Sequence, residues 1–245
     1  FTPEKPEGSV ELEFTFDSSA LVGKEVVVFE RLYVQGTEVA SHTDLKDEGQ
    51  TVVFPEHEIG TKATDKDTGT HEAIPKDKTT IVDEVTYSGL IVGQEYTLKG
   101  ILMRKDTGEP LEVDGKQVTA EKNFTPEKPE GTVELEFTFD SSALVGKEVV
   151  VFERLYVQGT EVAVHTEIED EGQTVTFPEH EIGTTATDKD TGTHEAVSKD
   201  KTIIVDEVTY SGLIVGQEYT LKGILMRKDT GEPLEVDGKQ VTAEK

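Results

Sequence analysis

Cysteine and tryptophan are absent from the 245-residue chain, asparagine occurs once, as Asn123, and positive charge is scarce. Without cysteine no disulfide can form, so thiols say nothing of the compartment. A chain of this composition working outside a cell would need another kind of staple. A single asparagine nearly eliminates a Lys–Asn isopeptide cross-link. A Lys–Asp version stays open, but it leaves the His–Gln arrangement described below without a purpose. Against 24 Lys+Arg stand 51 Asp+Glu, a net charge of −27. That balance argues against nucleic acid and against anionic membrane surfaces as partners. No transmembrane run, signal peptide or sorting motif is visible, so no membrane insertion is expected and the chain reads as a fragment of something longer. Hydrophobic content is 34%. The acidic residues are interspersed with Val, Phe and Tyr, which fits a modest core rather than disorder.

What is present is a repeat. FTPEKPEG at Phe1 returns at Phe124, EVVVFERLYVQGTEVA at Glu25 returns at Glu148, and ATDKDTGTHEA at Ala63 returns at Ala186. VDEVTYSGLIVGQEYTLKGILMR at Val82 returns at Val205, so the offset is 123 throughout. A unit of that size can bury its own core, unlike a short solenoid repeat. The chain stops at TAEK (Thr242–Lys245) and starts with FTPEK, and the internal junction between the same two motifs holds only Asn123.

Within each unit strand patterns dominate. Val10–Phe16 (VELEFTF) alternates apolar and acidic residues, the period of a half-buried strand. Lys24–Val34, Gln50–Phe54, Thr80–Tyr87 and Glu95–Arg104 are rich in β-branched and aromatic residues. Turn signals separate them, among them Asp67-Thr68-Gly69, Ser88-Gly89 and Asp114-Gly115. No window holds a helical stripe, so the expectation is all-β, a sandwich or partly open barrel.

A few residue types that carry chemistry recur at fixed spacing. His42 and Gln50 are eight apart, as are His165 and Gln173; Glu30 and Glu153 each lie twelve before the histidine, inside Val-Phe-Glu. Thr61 and Thr184 open Gly-Thr-x-Ala-Thr-Asp, and Asp83 and Asp206 lie in Val-Asp-Glu-Val-Thr-Tyr. Singly, each has a bland reading as a surface or strand residue. As an ordered set they suit one reaction. A threonine hydroxyl is a weak nucleophile that needs a neighbouring base, which histidine supplies near neutral pH. A glutamine carboxamide reacts only if its carbonyl is polarised. Two carboxyls forced together cannot both ionise easily, so one keeps a proton to donate. Asp65-x-Asp67-x-Gly69 and Asp188-x-Asp190-x-Gly192 resemble the start of a calcium loop but lack the later bidentate Glu, so a tight acidic turn is the better reading and no metal is expected. His57, His71, His180 and His194 read as exposed, without function.

These motifs resemble the Thr–Gln ester-bond domains, or VaFE repeats, of Gram-positive surface proteins, over essentially the whole repeat. The resemblance implies tandem immunoglobulin-like, CnaB-like β-sandwich domains in the cell-surface, cell-wall-anchored stalk of an adhesin. It implies a self-directed, single-turnover Thr–Gln cross-link without a cofactor, rather than an enzyme. By it Thr61 or Thr184 is the nucleophile, Gln50 or Gln173 the acceptor, His42 or His165 the catalytic histidine, and Asp83 or Asp206 with Glu30 or Glu153 the acidic pair. A ligand-binding adhesin module is the alternative; the tip adhesin and host receptor are not legible.

Spacing alone allows two registers. One closes a tiny loop from Gln50 to Thr61. The other pairs Thr61 with Gln173, and the family order, Thr first and Gln last, selects it. The expected domains are then 57–178, complete, flanked by a C-terminal half-domain at 1–56 and an N-terminal half-domain at 179–245. Neighbouring copies of the chain are expected to complete those halves head to tail.

Overall fold

The computed structural model describes all 245 residues, and it is all-β: strands, turns and four short 3-10 segments, with no α-helix. Residues 57–177 form the packed part. One sheet has three antiparallel strands in the order Gly131–Phe139, Thr79–Ser88, Glu58–Asp65. The other has five: Thr119–Phe124, Tyr96–Arg104, Lys147–Val157 and Thr160–His165 in that order, with Thr174–Phe177 also paired to Lys147–Val157.

Alternation places the core. Along Gly131–Phe139 the residues Val133, Leu135, Phe137 and Phe139 are buried, while Thr132, Glu134, Glu136 and Thr138 face water. Thr79, Ile81, Asp83 and Val85 share the inner phase of their strand, and Val149, Val151, Glu153 and Leu155 that of theirs. Each buried Phe or Leu contributes on the order of 1.5–3 kcal/mol. Gly100, on the strand facing them, lets the sheets close: a Cβ there would stand 2.5 Å from Phe137 Cζ and 2.9 Å from Leu135 Cδ1.

The flanking segments carry nearly the same sequence but less structure. Val10–Phe16, expected as a strand, is none, although its copy Gly131–Phe139 is. The reason is the missing neighbour: Gly131–Phe139 is held by its ladder to Thr79–Ser88, and nothing occupies that place beside Val10–Phe16. Lys24–Val34 likewise breaks into Lys24–Val27 and Glu30–Val34, where Lys147–Val157 runs unbroken against Tyr96–Arg104. At the other end, Glu181–Asp188 pairs with Ile204–Ser211, but the Tyr96–Arg104 copy shrinks to Lys222–Ile224.

Two histidines expected to be exposed are half-buried instead. His57 Nε2 meets the Tyr96 hydroxyl at 2.9 Å, and that hydroxyl accepts from the Ile91 N–H at 2.9 Å. Burial lowers the His57 pKa. His71 is half-buried in the loop that pairs with Thr176, whose N–H donates to the His71 carbonyl. The Asp65 turn closes on itself: Asp65 Oδ1 accepts from the Thr68 N–H at 2.9 Å, and Asp67 pairs with Lys76.

Candidate functional site

Among the polar side chains buried in the packed unit, Asp83, Glu153 and Gln173 carry a carboxyl or carboxamide and are all 0% exposed. Asp83 sits between Ile81 and Val85, and Glu153 between Val151 and Leu155, so strand periodicity carries both carboxyls inward. Gln173 ends the 3-10 turn Glu171–Gln173, which Asp170 caps by accepting from the Gly172 N–H at 2.7 Å. Thr61 lies on Glu58–Asp65, beside the Asp83 strand.

The four meet. The Thr61 hydroxyl donates to Asp83 Oδ1 at 2.8 Å. Gln173 Nε2 donates to Thr61 Oγ1 at 2.7 Å and to Glu153 Oε2 at 2.6 Å. The nucleophile is thus in contact with the nitrogen that would leave, one covalent bond from the carbon it would attack. Asp83 and Glu153 interact with each other. Burial, and then the charge of Asp83, push the Glu153 carboxyl up to about 10, and burial raises Asp83 as well. Asp83 Oδ2, Glu153 Oε1 and Gln173 Oε1 are buried without a donor. A proton on the carboxyl pair supplies a donor where two ionised groups would have none, and it removes the penalty of two buried like charges.

His165 stands directly opposite Glu153 in the strand register. Its Nε2–H donates to Asp170 Oδ2 at 2.9 Å. That bond orients the ring through Nε2 and leaves Nδ1 free of it. His165 does not hydrogen-bond to Thr61; a proton on its ring favours the ionised form of Asp83. Asp170 was not singled out from sequence, yet it both orients His165 and caps the turn that presents Gln173. The signal was there: Asp47 lies five after His42 and three before Gln50, as Asp170 does relative to His165 and Gln173.

The remaining site residues form two separate parts. Gln50 Nε2 donates to Glu30 Oε2 at 2.6 Å, and His42 meets Asp47 at 2.7 Å. Thr184 and Asp206 lie on neighbouring strands, both exposed, with no hydrogen bond between their side chains. Gln50 does not contact Thr61. The lone asparagine, Asn123, is exposed and accepts from the Thr97 hydroxyl at 2.8 Å, with no lysine bonded to it.

Comparison with known proteins gives one family. The model of the T-Q ester bond containing domain matches residues 1–54, 57–177 and 180–245. No curated protein sequence matches the chain. Among solved structures, a bacterial adhesin from Mobiluncus mulieris containing intramolecular disulfide, isopeptide and ester bond cross-links aligns at 15% identity and a TM-score of 0.43. The alignment covers 63% of this chain and 76% of that one. A second crystal form of that adhesin aligns equally, over 75% of its chain. A putative β-galactosidase from Bacteroides fragilis aligns at 17% identity and a TM-score of 0.35, over 46% of this chain and 17% of that one. With three matches that leave only the four residues 55–56 and 178–179 outside, the chain belongs to the T-Q ester bond containing domain family.

Proposed function

We propose that residues 57–177 form a structural repeat that closes itself with an ester between Thr61 and Gln173, as part of the stalk of a Gram-positive cell-surface adhesin. The observation that carries this reading is the 2.7 Å contact between Thr61 Oγ1 and Gln173 Nε2 inside a buried carboxyl pair. The hydroxyl proton goes first to Asp83, the group it already contacts. His165, oriented by Asp170, is the base behind Asp83. Thr61 Oγ1 bonds to Gln173 Cδ, the Cδ–Nε2 bond breaks, and the proton ends on the nitrogen, which leaves as ammonia. A half-turn of the carboxamide exchanges Nε2 with Oε1 and sets the carbonyl oxygen against protonated Glu153, which polarises it.

The reaction stops at the ester because Gln173, Glu153 and Asp83 are closed to water. Each site therefore turns over once, and the product is a bond rather than a released compound. A closed loop across 112 positions ties the first strand of the unit to the 3-10 turn that leads into its last. Tension entering at one and leaving at the other then runs through covalent bonds. That property, with the surplus of acidic over basic residues, suits an extracellular stalk.

Intact mass under denaturing conditions tests the reading. Wild-type protein should weigh at least one ammonia less than its sequence, and Thr61→Ala should restore one ammonia's mass. An unmodified wild-type mass would overturn it.

A further inference from the structure

The chain enters the packed unit through Pro55, Glu56 and His57, between the strands Thr51–Phe54 and Glu58–Asp65. Two contacts fasten that entry to the unit. The first is main chain on main chain. Gly89 has φ +71°, and a Cβ on it would stand 1.9 Å from the Glu56 carbonyl oxygen, so the entering peptide lies directly against the Ser88–Gly89 turn. Both the positive φ and the close approach require glycine there. The second is the half-buried His57 ring, whose Nε2 meets the Tyr96 hydroxyl at 2.9 Å. Tyr96 is 0% exposed and its ring stacks on Phe124 with centroids 6.0 Å apart, so the hydroxyl is held in place. The loop after Gly89 is anchored in turn. The Ile91 N–H donates to the Tyr96 hydroxyl at 2.9 Å, the Leu90 N–H to the Pro129 carbonyl at 3.0 Å, and the Gly93 N–H to the Pro126 carbonyl at 3.1 Å.

The arrangement recurs where the chain passes from this unit to the next. His180 Nε2 meets the Tyr219 hydroxyl at 3.1 Å, the Ile214 N–H donates to that hydroxyl at 2.9 Å, and a Cβ on Gly212 would stand 2.0 Å from the Glu179 carbonyl oxygen. The same three contacts at both joints make this a feature of the repeat. The Tyr96 hydroxyl has one proton and already accepts from an N–H, so it donates that proton to Nε2 of a neutral His57. Nδ1 then carries the ring proton, beside the Pro55 carbonyl; at the second joint His180 Nδ1 meets the Pro178 carbonyl at 3.2 Å. A second proton on the His57 ring sets an N–H against the O–H. The hydroxyl must then turn its own proton away, and Tyr96 is buried with no other acceptor bonded to it. Glu56 and Glu58 flank the ring in sequence, Glu95 precedes Tyr96, and Glu127, Lys128 and Glu130 lie on the turn that holds the loop. All six are exposed, and neither they nor the half-buried Tyr87 bonds to the ring. With no carboxylate to hold a proton on it, burial lowers the His57 pKa from 6.5.

We propose that His57 and Tyr96 form a latch that clamps the joint between successive repeats, and that acid opens it. Latched, His57 is neutral; open, it takes a proton. The joint is therefore clamped above the ordinary histidine range, and it loosens as pH falls below 6.5 and then through the lower value of the latched ring. Opening frees the entering peptide from the Gly89 turn, while Ile91 keeps the Tyr96 hydroxyl as its acceptor. The mechanical consequence rests on the function proposed above; the latch itself does not. With Thr61 bonded to Gln173, tension bypasses everything between them, so only residues before Thr61 and after Gln173 yield. His57 lies four before Thr61, in that unprotected stretch. The latch then sets the stiffness of each joint under load, firm at neutral pH and loose in acid.

NMR of the full chain tests the latch. NOEs between the His57 and Tyr96 rings, whose centroids are 5.7 Å apart, should be present at about pH 8 and lost at about pH 5, with a fall in the heteronuclear NOE of the Glu56 and His57 amides. The Ile91 amide should stay protected from exchange at both pH values, because its acceptor stays in place. Loss of that protection in acid would mean that the whole loop unfolds, and it would overturn the latch. Tyr96→Phe keeps the buried ring and removes the hydroxyl, so the Glu56 and His57 amides should be mobile at both pH values. His57→Gln offers the hydroxyl an oxygen that takes no proton, so the amides at positions 56 and 57 should be rigid at both. Wild-type ring NOEs and amide dynamics that do not change with pH overturn the proposal, as does an acid response that persists in His57→Gln. Thr61→Ala should show the wild-type response. An absent Thr61–Gln173 ester, read from monomer mass, would therefore sink the function proposed above and leave the latch standing.

Discussion

A carboxyl set into an apolar strand phase is the decisive feature at the residue scale. Glu153 takes a position that alternation assigns to the core, and its partner Asp83 does the same on the opposite sheet. Two buried acids so placed would destabilise a purely structural domain, because desolvation outweighs what they return. Their pairing makes sense if one must stay protonated. Unfolded, Glu153 titrates near 4.5; folded, near 10. The folded state therefore holds a proton the unfolded state releases. The stability linked to it is fully present below about pH 4.5 and is lost as pH rises through about 10. In Thr61→Ala, which cannot close the ester, the melting temperature should accordingly fall between neutral pH and pH 10. A flat profile would show that the pair is not sharing a proton. Bond formation in wild type recovered unfolded before its ester has closed, and then refolded, should slow over the same range, because a deprotonated Glu153 has nothing to donate. His165→Ala should slow it by about 10²–10⁴-fold without unfolding the sheets. Asp170→Ala should slow it less, with the ring present but free to turn. Intact mass against time after refolding reads all three.

Among the elements, the same strand sequence takes different forms according to its neighbours. VELEFTF is a nine-residue strand's core at Gly131–Phe139 and no strand at all at Val10–Phe16. Phe137 and Phe14 are therefore a matched pair for measurement. Phe137→Ala should destabilise the packed unit by about 3–5 kcal/mol, since it empties a filled site. Phe14→Ala should change the stability of that unit by less than about 0.5 kcal/mol. Urea melts of the two variants check this, and equal effects would mean that the 1–54 segment is packed after all. Gly100 is the complementary case. A methyl group there collides with Phe137 and Leu135, both held in the facing sheet, so Gly100→Ala should destabilise by about 1–3 kcal/mol. Its copy Gly223 meets nothing within 4 Å, and Gly223→Ala should be nearly neutral.

For the whole molecule, closure matters more than any single contact. Joining positions 112 apart should stabilise the unit by about 4–5 kcal/mol on the chain-entropy account, or roughly 15–25 °C in Tm for a unit of this size. Comparing Thr61→Ala with wild type by calorimetry at neutral pH gives the figure directly. A difference of only a few degrees would mean that the sheets already hold the ends in place. Protease resistance should follow the same division: the packed unit stays intact while 1–54 and 180–245 are trimmed.

Much of this was legible in the sequence because it depends on period and order. Alternation marked the strands, and the 123-residue offset marked the units. The order Thr61, Asp83, Glu153, His165, Gln173 carried the family resemblance that the family match bears out. Those properties are local, or depend only on what recurs along the chain. Tertiary structure decided the rest. It left Val10–Phe16 without a ladder and buried His57 against Tyr96, since both depend on which strand lies alongside. It also placed the Thr61 hydroxyl on Asp83 rather than on His165, and it gave Asp170 two tasks. Those outcomes are distances between residues far apart in the chain. Spacing along a strand says which face a side chain takes, but only the packing of two sheets says what it meets there.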